Sequence, residues 1–487
     1  MKDDKKQIGN DAVKVTIAKI IAQALSMVVA MLMARFLTLE ENGTYSQVIL
    51  VINMVLSLFM LGLPNSMNYY MGRAENKEQK KQFLSTYYAL NTLLGLGVGV
   101  ILLVCMPLVM KYFDNQALKS LWFFMLLYPW GKIITTSAEN LYIVYHKTNS
   151  VLLYRVLLSG AIIVAIIIAH IIKLNFNMYM LILLVITLVF SAVVLLEANK
   201  LGEGICVKLS FGYIKQVLAF SLPLGLATAV GTINIELDKF MVGNFVDTAT
   251  HAVYTNASKE MPVAIVASAF TAVLLPRFSK YFKENQKDKV VQLWGHSTKI
   301  AFYIICFLSI GMFVFAPDCI RVLYSEKFIS GSNIFRVYCL VLLLRTTYFG
   351  LVLNAAGKTK FIFYSALASL GINFVLNYLL YIPLGLIGPA LATLISQIII
   401  NGFQIVYSAK LLNIKVSKLF PWKGIGVIFL INVILGICFF FIKKYLVLEN
   451  LIGTEMESIV LALVWLCVDF LVFKKSAFKE WHSFNNV

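Results

Sequence analysis

Charge is scarce in this chain. Asp, Glu, Lys and Arg make up 14% of its 487 residues, where a soluble domain carries about 25%. That deficit excludes an ordinary soluble enzyme. Acidic residues are the scarcer sign, 24 against 42 basic, which leaves a net charge of +18. In a soluble protein such an excess points to nucleic acid. Here the basic residues bunch between apolar runs, as they do in the cytoplasmic loops of membrane proteins, so neither nucleic acid nor nucleotide is an expected partner. Cysteines are few and dispersed: Cys105, Cys306, Cys339, Cys438 and Cys467 of the seven fall inside apolar stretches, and no CxxC pair exists. The five histidines are isolated. Neither a metal site nor a disulfide framework is predicted. The charged start Met1-Lys-Asp-Asp-Lys-Lys6 leads into an apolar run too long for the h-region of a cleavable signal.

What is abundant is apolar residue, 60% of the total. It is arranged in about 14 stretches of roughly the 20 residues that cross a bilayer, from Val13–Leu37 to Glu457–Phe473, with Ile334–Ala355 as the tenth. The predicted fold class is therefore an all-α polytopic membrane protein. An even count places both termini on one side. The loops on that side hold about 26 basic residues against about nine on the other, so the termini are expected in the cytoplasm. The chain also repeats itself. His146-Lys-Thr and Gly160 align without a gap on Gly357-Lys-Thr and Gly371, and the same offset pairs Ala198 with Ala409 and Leu201 with Leu412. Both copies fall at the same joint of a six-helix unit, which predicts parallel repeats. The expected lobes are residues 1–205 and 206–412, with helices 13 and 14 over 413–487 as an appendage.

Three stretches carry a family likeness: Ala34-Arg-Phe-Leu-Thr-Leu-Glu-Glu-Asn-Gly-Thr-Tyr45 after helix 1; Leu237-Asp-Lys-Phe-Met-Val-Gly243 with Ala252-Val-Tyr254 and Leu275-Pro-Arg-Phe-Ser279; and Gly357-Lys-Thr-Lys360 with Asn373, Asn377 and Gly388-Pro-Ala-Leu-Ala-Thr393. In order and spacing the chain resembles bacterial polysaccharide (O-antigen or capsule repeat-unit) flippases. These belong to a superfamily that also holds lipid II flippases and multidrug extruders. The first stretch departs from the family pattern in lacking a Gly-Pro before its acidic pair. The resemblance implies two six-helix lobes in a V, a cavity opening alternately to either side, and a substrate carried on a polyprenyl diphosphate.

Charges at membrane depth cost about 2.5–3.5 kcal/mol each on insertion scales and default to function. The competing reading is snorkelling from a helix end. Lys14 is read as snorkelling, and Lys19 and Arg155 as open between the two. Arg35 ends helix 1. Lys132 lies mid-helix in helix 4 with Glu139 seven residues on, about two turns, so both share a face. Arg345 is placed in the middle of helix 10, opposite Ile134 by the repeat offset. Lys19, Arg35, Lys132, Arg155 and Arg345 are thus the candidate cavity cations for an anionic headgroup, which Arg binds with a planar fork. Asn65, Asn68, Asn140, Asn234, Asn373 and Asn377 are available for sugars. Pro64 and Pro223 are candidate hinges, with an ordinary kink as the alternative. Glu236, Asp238 and Lys239 are read either as a Na⁺ or H⁺ coupling site or as a local ion pair of Asp238 with Lys239 or Lys259. Gly357-Lys358-Thr359 mimics a P-loop end, but position 352 is Val where that motif needs Gly. Trp422 and Trp130 are candidate interfacial anchors.

The leading function is a flippase for lipid-linked oligosaccharide in the bacterial plasma membrane. No cofactor is expected beyond a Na⁺ or H⁺ gradient. The expected partners are the lipid-linked substrate and membrane lipids, with the protein a monomer near the polymerase and glycosyltransferases of its pathway. A cation-coupled drug extruder would be expected to keep acids rather than bases at membrane depth. A membrane-embedded polymerase would be expected to show a large outer loop or paired catalytic acids. The topology gives a direct test: a cysteine introduced beside Lys283 is expected to react with an impermeant maleimide only from the cytoplasmic face, and labelling of intact cells would overturn the assignment.

Overall fold

The computed structural model describes residues 2–204, 211–259, 261–446 and 454–485; the side chains of residues 1–16, Lys14 among them, and of Asn65 lie outside the described set. The protein is 89% helical, with no strand among the described residues. Hydrocarbon imposes this, because a helix satisfies its backbone polar groups internally. The chain divides into two compact units, Met1–Ala252 and Val253–Val487.

The first unit holds α1 (Lys2–Phe36), α2 (Leu39–Phe59), α3 (Leu63–Arg73), α4 (Lys77–Val104), α5 (Met106–Tyr112), α6 (Trp122–Val144), α7 (Thr148–Ile171), α8 (Phe176–Leu201) and α9 (Phe211–Phe245), with α10 (Thr248–Ala257) crossing the division. The second holds α11 (Ile265–Lys283), α12 (Lys287–Val314), α13 (Ala316–Leu323), α14 (Ser332–Leu343), α15 (Leu351–Ala355), α16 (Thr359–Leu384), α17 (Ile387–Leu412), α18 (Val416–Leu419), α19 (Trp422–Leu446) and α20 (Thr454–Asn485). Ten of the described helices are long and apolar enough to cross a membrane, and the bent α9 makes eleven. The expected count of fourteen is not reached by that measure. The expected helices 4, 8 and 10 do not qualify: α6 is too polar, and the other two are each broken into shorter helices. The compact division also falls later than residue 205, because α9 packs against α2 and α3 of the first unit.

The repeat is visible element by element. α1 and α9 have 35 residues each, α4 and α12 have 28, and α8 and α17 have 26. His146 and Gly357 both adopt positive φ, 56° and 73°. Each ends the preceding helix with the same two bonds: their N–H groups donate to the carbonyls of Ile143 and Asn354, and those of Lys147 and Lys358 to Tyr142 and Leu353. The Gly-Lys-Thr that mimics a nucleotide loop is therefore a helix C-terminal turn. The pattern is interrupted at α6, a continuous helix whose counterpart is split into α14 and α15.

Local chemistry explains the joint after α1. Thr38 is the N-cap of α2: its Oγ1 accepts the Glu41 N–H at 3.2 Å, and Glu41 Oε2 accepts the Thr38 N–H at 2.9 Å. That reciprocal capping box starts a helix without the Gly-Pro of the family pattern. Asp247 begins α10 in a similar way, accepting the Thr250 N–H at 2.9 Å, and that bond holds its carboxyl below the usual range.

The break before Pro64 and the bend after Pro223 meet in space. α2 and α3 are separated by Met60, Leu61 and Gly62, the last two at positive φ, and Pro64 sits in the first turn of α3. α9 bends by 44° between Pro223 and Gly225. A Cβ on Gly225 would lie 2.3 Å from both the Gly62 nitrogen and the Leu61 carbonyl carbon. The two breaks thus lie backbone against backbone. Gly225→Ala is expected to cost about 1–3 kcal/mol, read as a drop of several degrees in the melting temperature of the detergent-solubilised protein. Gly231→Ala, with nothing within 4 Å of its Cβ, is expected to leave it unchanged.

Candidate functional site

Three helices of the first unit converge on one carboxylate. Glu139 of α6 places Oε1 2.9 Å from Lys19 Nζ of α1, and its Oε2 accepts a hydrogen bond from Arg155 Nη2 of α7. Packing of α7 against both α1 and α6 brings the three together. Glu139 is only 14% exposed, Arg155 35% and Lys19 53%. The cluster is therefore graded from a nearly buried acid to a half-exposed cation. Arg155 Nε is buried with no hydrogen-bond partner among the described residues. Lys132 lies two turns back on the same face of α6 and is exposed. Hydroxyls of Thr135 and Thr136 donate to its carbonyl oxygen. Three cations and one acid leave this face with a formal excess of two positive charges.

The other candidates fall out differently. Arg35 stands exposed in the last turn of α1. Asn68 is exposed on α3, and Asn140 and Asn234 are half-buried. Arg345 is not mid-helix: it is half-buried in the non-helical stretch between α14 and α15. On α9, Asp238 is wholly buried, and Lys239 Nζ lies 3.2 Å from Glu236 Oε2 and 3.9 Å from Asp238 Oδ1. That is the geometry of a local ion pair. Lys239 Nζ also donates to the Ile235 carbonyl at 2.9 Å.

Asn373 and Asn377 do not lie open. Together with Ser365 and Ser369 they form the buried face of α16, four polar residues at a spacing of four. This face packs on α17, where Gln404 Nε2 donates to Ser365 Oγ at 3.2 Å. Asn377 Nδ2 donates to Asn373 Oδ1 at 3.3 Å, and Asn377 Oδ1 and Thr393 Oγ1 are buried without partners among the described residues. Polar side chains of this kind join helices in a membrane. Trp130 is half-buried and donates its Nε1 to Thr92 Oγ1 of α4 at 3.2 Å. Trp422 is 47% exposed and donates its Nε1 to the Val416 carbonyl at 3.1 Å. No group of three metal-ligating side chains occurs among the described residues.

Sequence reasoning missed two further ion clusters. Glu480 of α20 accepts from Lys299 Nζ at 2.7 Å and lies 2.6 Å from His296 Nδ1, both on α12. Asp318 of α13 pairs with Lys443 of α19 and, at 3.5 Å, with Arg321. Both lie where the appended helices α19 and α20 meet the rest of the second unit.

A fold of this kind, long apolar helices with ionised side chains held between them, defines a polytopic membrane protein. Solved structures share the fold. The protein superposes on "Lipid II flippase MurJ, inward closed conformation" with a TM-score of 0.74 over 95% of this chain and 99% of that one, at 16% identity. An inward-facing multidrug resistance MATE family transporter of the MOP superfamily gives a TM-score of 0.66 over 82% of this chain and 98% of its own, again at 16% identity. Residues 32–333 match the family described as polysaccharide biosynthesis protein, and the chain belongs to that family. Similar relatives include the capsular polysaccharide biosynthesis protein CapF of Staphylococcus aureus, 21% identical over 79% of this chain and 94% of its own. Another is the probable low-salt glycan biosynthesis flippase Agl15 of Haloferax volcanii, 19% identical over 39% of this chain and 40% of its own.

The graded exposure of the cluster sets its energetics. A double-mutant cycle between Glu139 and Arg155, read from thermal unfolding in detergent, is expected to give a coupling of about 1–2 kcal/mol. The Lys19–Glu139 cycle is expected to give about 0.5 kcal/mol or less, because the ammonium is half-exposed. Equal couplings would contradict the gradient.

Proposed function

We propose that this protein flips a polyprenyl-diphosphate-linked oligosaccharide, the repeat unit of a polysaccharide, across the bacterial plasma membrane. The reading is of alternating access through a cationic central cavity, with residues 1–205 and 206–412 as the moving lobes and both termini in the cytoplasm. The observation that carries it is the convergence of Lys19, Glu139 and Arg155 within apolar helices, beside Lys132. A carboxylate that cost energy to bury holds two cations in place there, and the net charge of the face stays positive. Fixed positive groups at that depth suit a cargo whose diphosphate is anionic. The family and the name of CapF support the polysaccharide half of the reading, and the name of Agl15 supports the flipping half.

A multidrug extruder or a lipid II flippase is the alternative that the fold allows. The basic excess at depth favours an anionic cargo over cationic drugs, and the family favours a polysaccharide repeat unit over lipid II. Coupling to a Na⁺ or H⁺ gradient belongs to the same proposal, with Asp238 and the buried Asn373 and Asn377 as its candidate residues. The protein acts as a monomer beside its pathway's polymerase and glycosyltransferases. Arg345→Ala and Lys132→Ala are each expected to abolish surface polysaccharide while leaving normal amounts of protein in the membrane. Unchanged polymer from both variants, measured on whole cells, would end the cavity-cation reading.

A further inference from the structure

The repeat offset changes by one residue inside a single element. The 3₁₀ turn Gln116–Leu121 and the start of α6 at Trp122 correspond to Glu326–Gly331 and Ser332, an offset of 210. By the C-terminal turns at His146 and Gly357 the offset is 211. One extra residue has therefore entered between Ser332 and Ala355. An inserted residue turns everything beyond it by about 100° on a helix, yet both ends are held: α14 packs on α12 and α17, and α15 on α11, α16 and α17. The chain absorbs the insertion by unwinding between Leu343 and Leu351.

Unwinding leaves backbone groups without their helical partners. Among the described residues, the N–H groups of Thr346, Thr347, Tyr348, Phe349 and Gly350 donate to no backbone carbonyl. Thr346, Phe349 and Gly350 are buried. The stretch is held in place: Trp294 Nε1 of α12 donates to Thr347 Oγ1 at 2.8 Å, and Trp294 is itself buried. Broken helices are tolerated at membrane depth where they are buried in protein, line water or bind a ligand. A run of N–H groups without carbonyl partners favours an anion, and the residue heading this run is Arg345.

We propose that the unwound segment 344–350 is a diphosphate-binding element, in which successive backbone N–H groups and the Arg345 guanidinium hold the cargo's headgroup together. This rests on the proposed function and assigns the headgroup contact to a stretch of main chain. Arg345 is then a substrate-binding residue, while Trp294 and Thr347 are positioning residues that keep the segment open.

The test uses the full chain in nanodiscs with farnesyl diphosphate as the probe, binding being read by the shift in melting temperature and by competition. Wild-type protein is expected to bind, with inorganic pyrophosphate competing and farnesyl monophosphate competing at least about tenfold less well. Arg345→Ala is expected to weaken binding at least about tenfold. Deletion of Thr347 restores the register of α6 and is expected to weaken it as much with Arg345 still present. Thr347→Val, which keeps size and removes the acceptor for Trp294, is expected to weaken it about threefold, and it decides the matter if the deletion variant does not fold. Wild-type affinity in Thr347→Val or in a folded deletion variant, with Arg345→Ala still impaired, would overturn the backbone element and leave the proposed function standing. No diphosphate binding by wild-type protein would overturn both, and equal competition by the monophosphate would overturn diphosphate recognition.

Discussion

Every polar group placed in hydrocarbon must find its partner within the protein, and the rest of this structure follows from that constraint. It makes the chain helical over most of its described length. It also decides where polar side chains can stand. On α16 the one buried face is Ser365, Ser369, Asn373 and Asn377, while the outward faces hold Tyr364, Phe374, Tyr378 and Leu379. This is the reverse of a soluble helix, whose apolar stripe faces the core. Lys19, Glu139 and Arg155 obey the same rule with full charges, each satisfying another across a helix boundary.

The duplicated plan turns this constraint into a division of labour. Elements of equal length recur in both halves, down to the backbone bonds that close the turns at His146 and Gly357. Against that constancy the differences stand out. The first unit keeps α6 continuous and places Lys132 and Glu139 along it. The second unit breaks the equivalent helix and puts Arg345 in the break. A face of side-chain charge in one copy is answered by unwound main chain in the other, at corresponding places in the sequence. An anionic cargo can be met by either chemistry, by cationic side chains or by backbone N–H groups.

Much of the fold was legible in the sequence because lipid leaves few options. Apolar runs of about 20 residues spell helices, and Lys147-Thr148 matching Lys358-Thr359 exposed the duplication. The helix count was less legible, since α10–α11 and α14–α15 are broken where the hydropathy pattern reads as unbroken. Of the site, each charged member was visible as an anomaly within an apolar run. Their grouping was not. Glu139 was tied to Lys132 by the helical period, whereas the structure ties it to Lys19, about 120 positions away in sequence, and to Arg155 on the next helix. The meeting of the Leu61-Gly62 break with the bend at Gly225 was equally hidden, because the adjoining Pro64 and Pro223 are not equivalent positions of the repeat.

The sequence by itself determined the solvent of this protein, its helical class, its duplication and the short roster of charges that lipid would otherwise expel. These are properties of one segment at a time, or of two segments compared, and they need no knowledge of neighbours. Only the tertiary structure decided which charges compensate one another, which Asn residues are sealed in a helix seam, and that Arg345 sits on unwound chain. Those outcomes depend on lateral packing between helices and on how two pinned ends share one surplus residue, and no local pattern along a single strand of sequence encodes either.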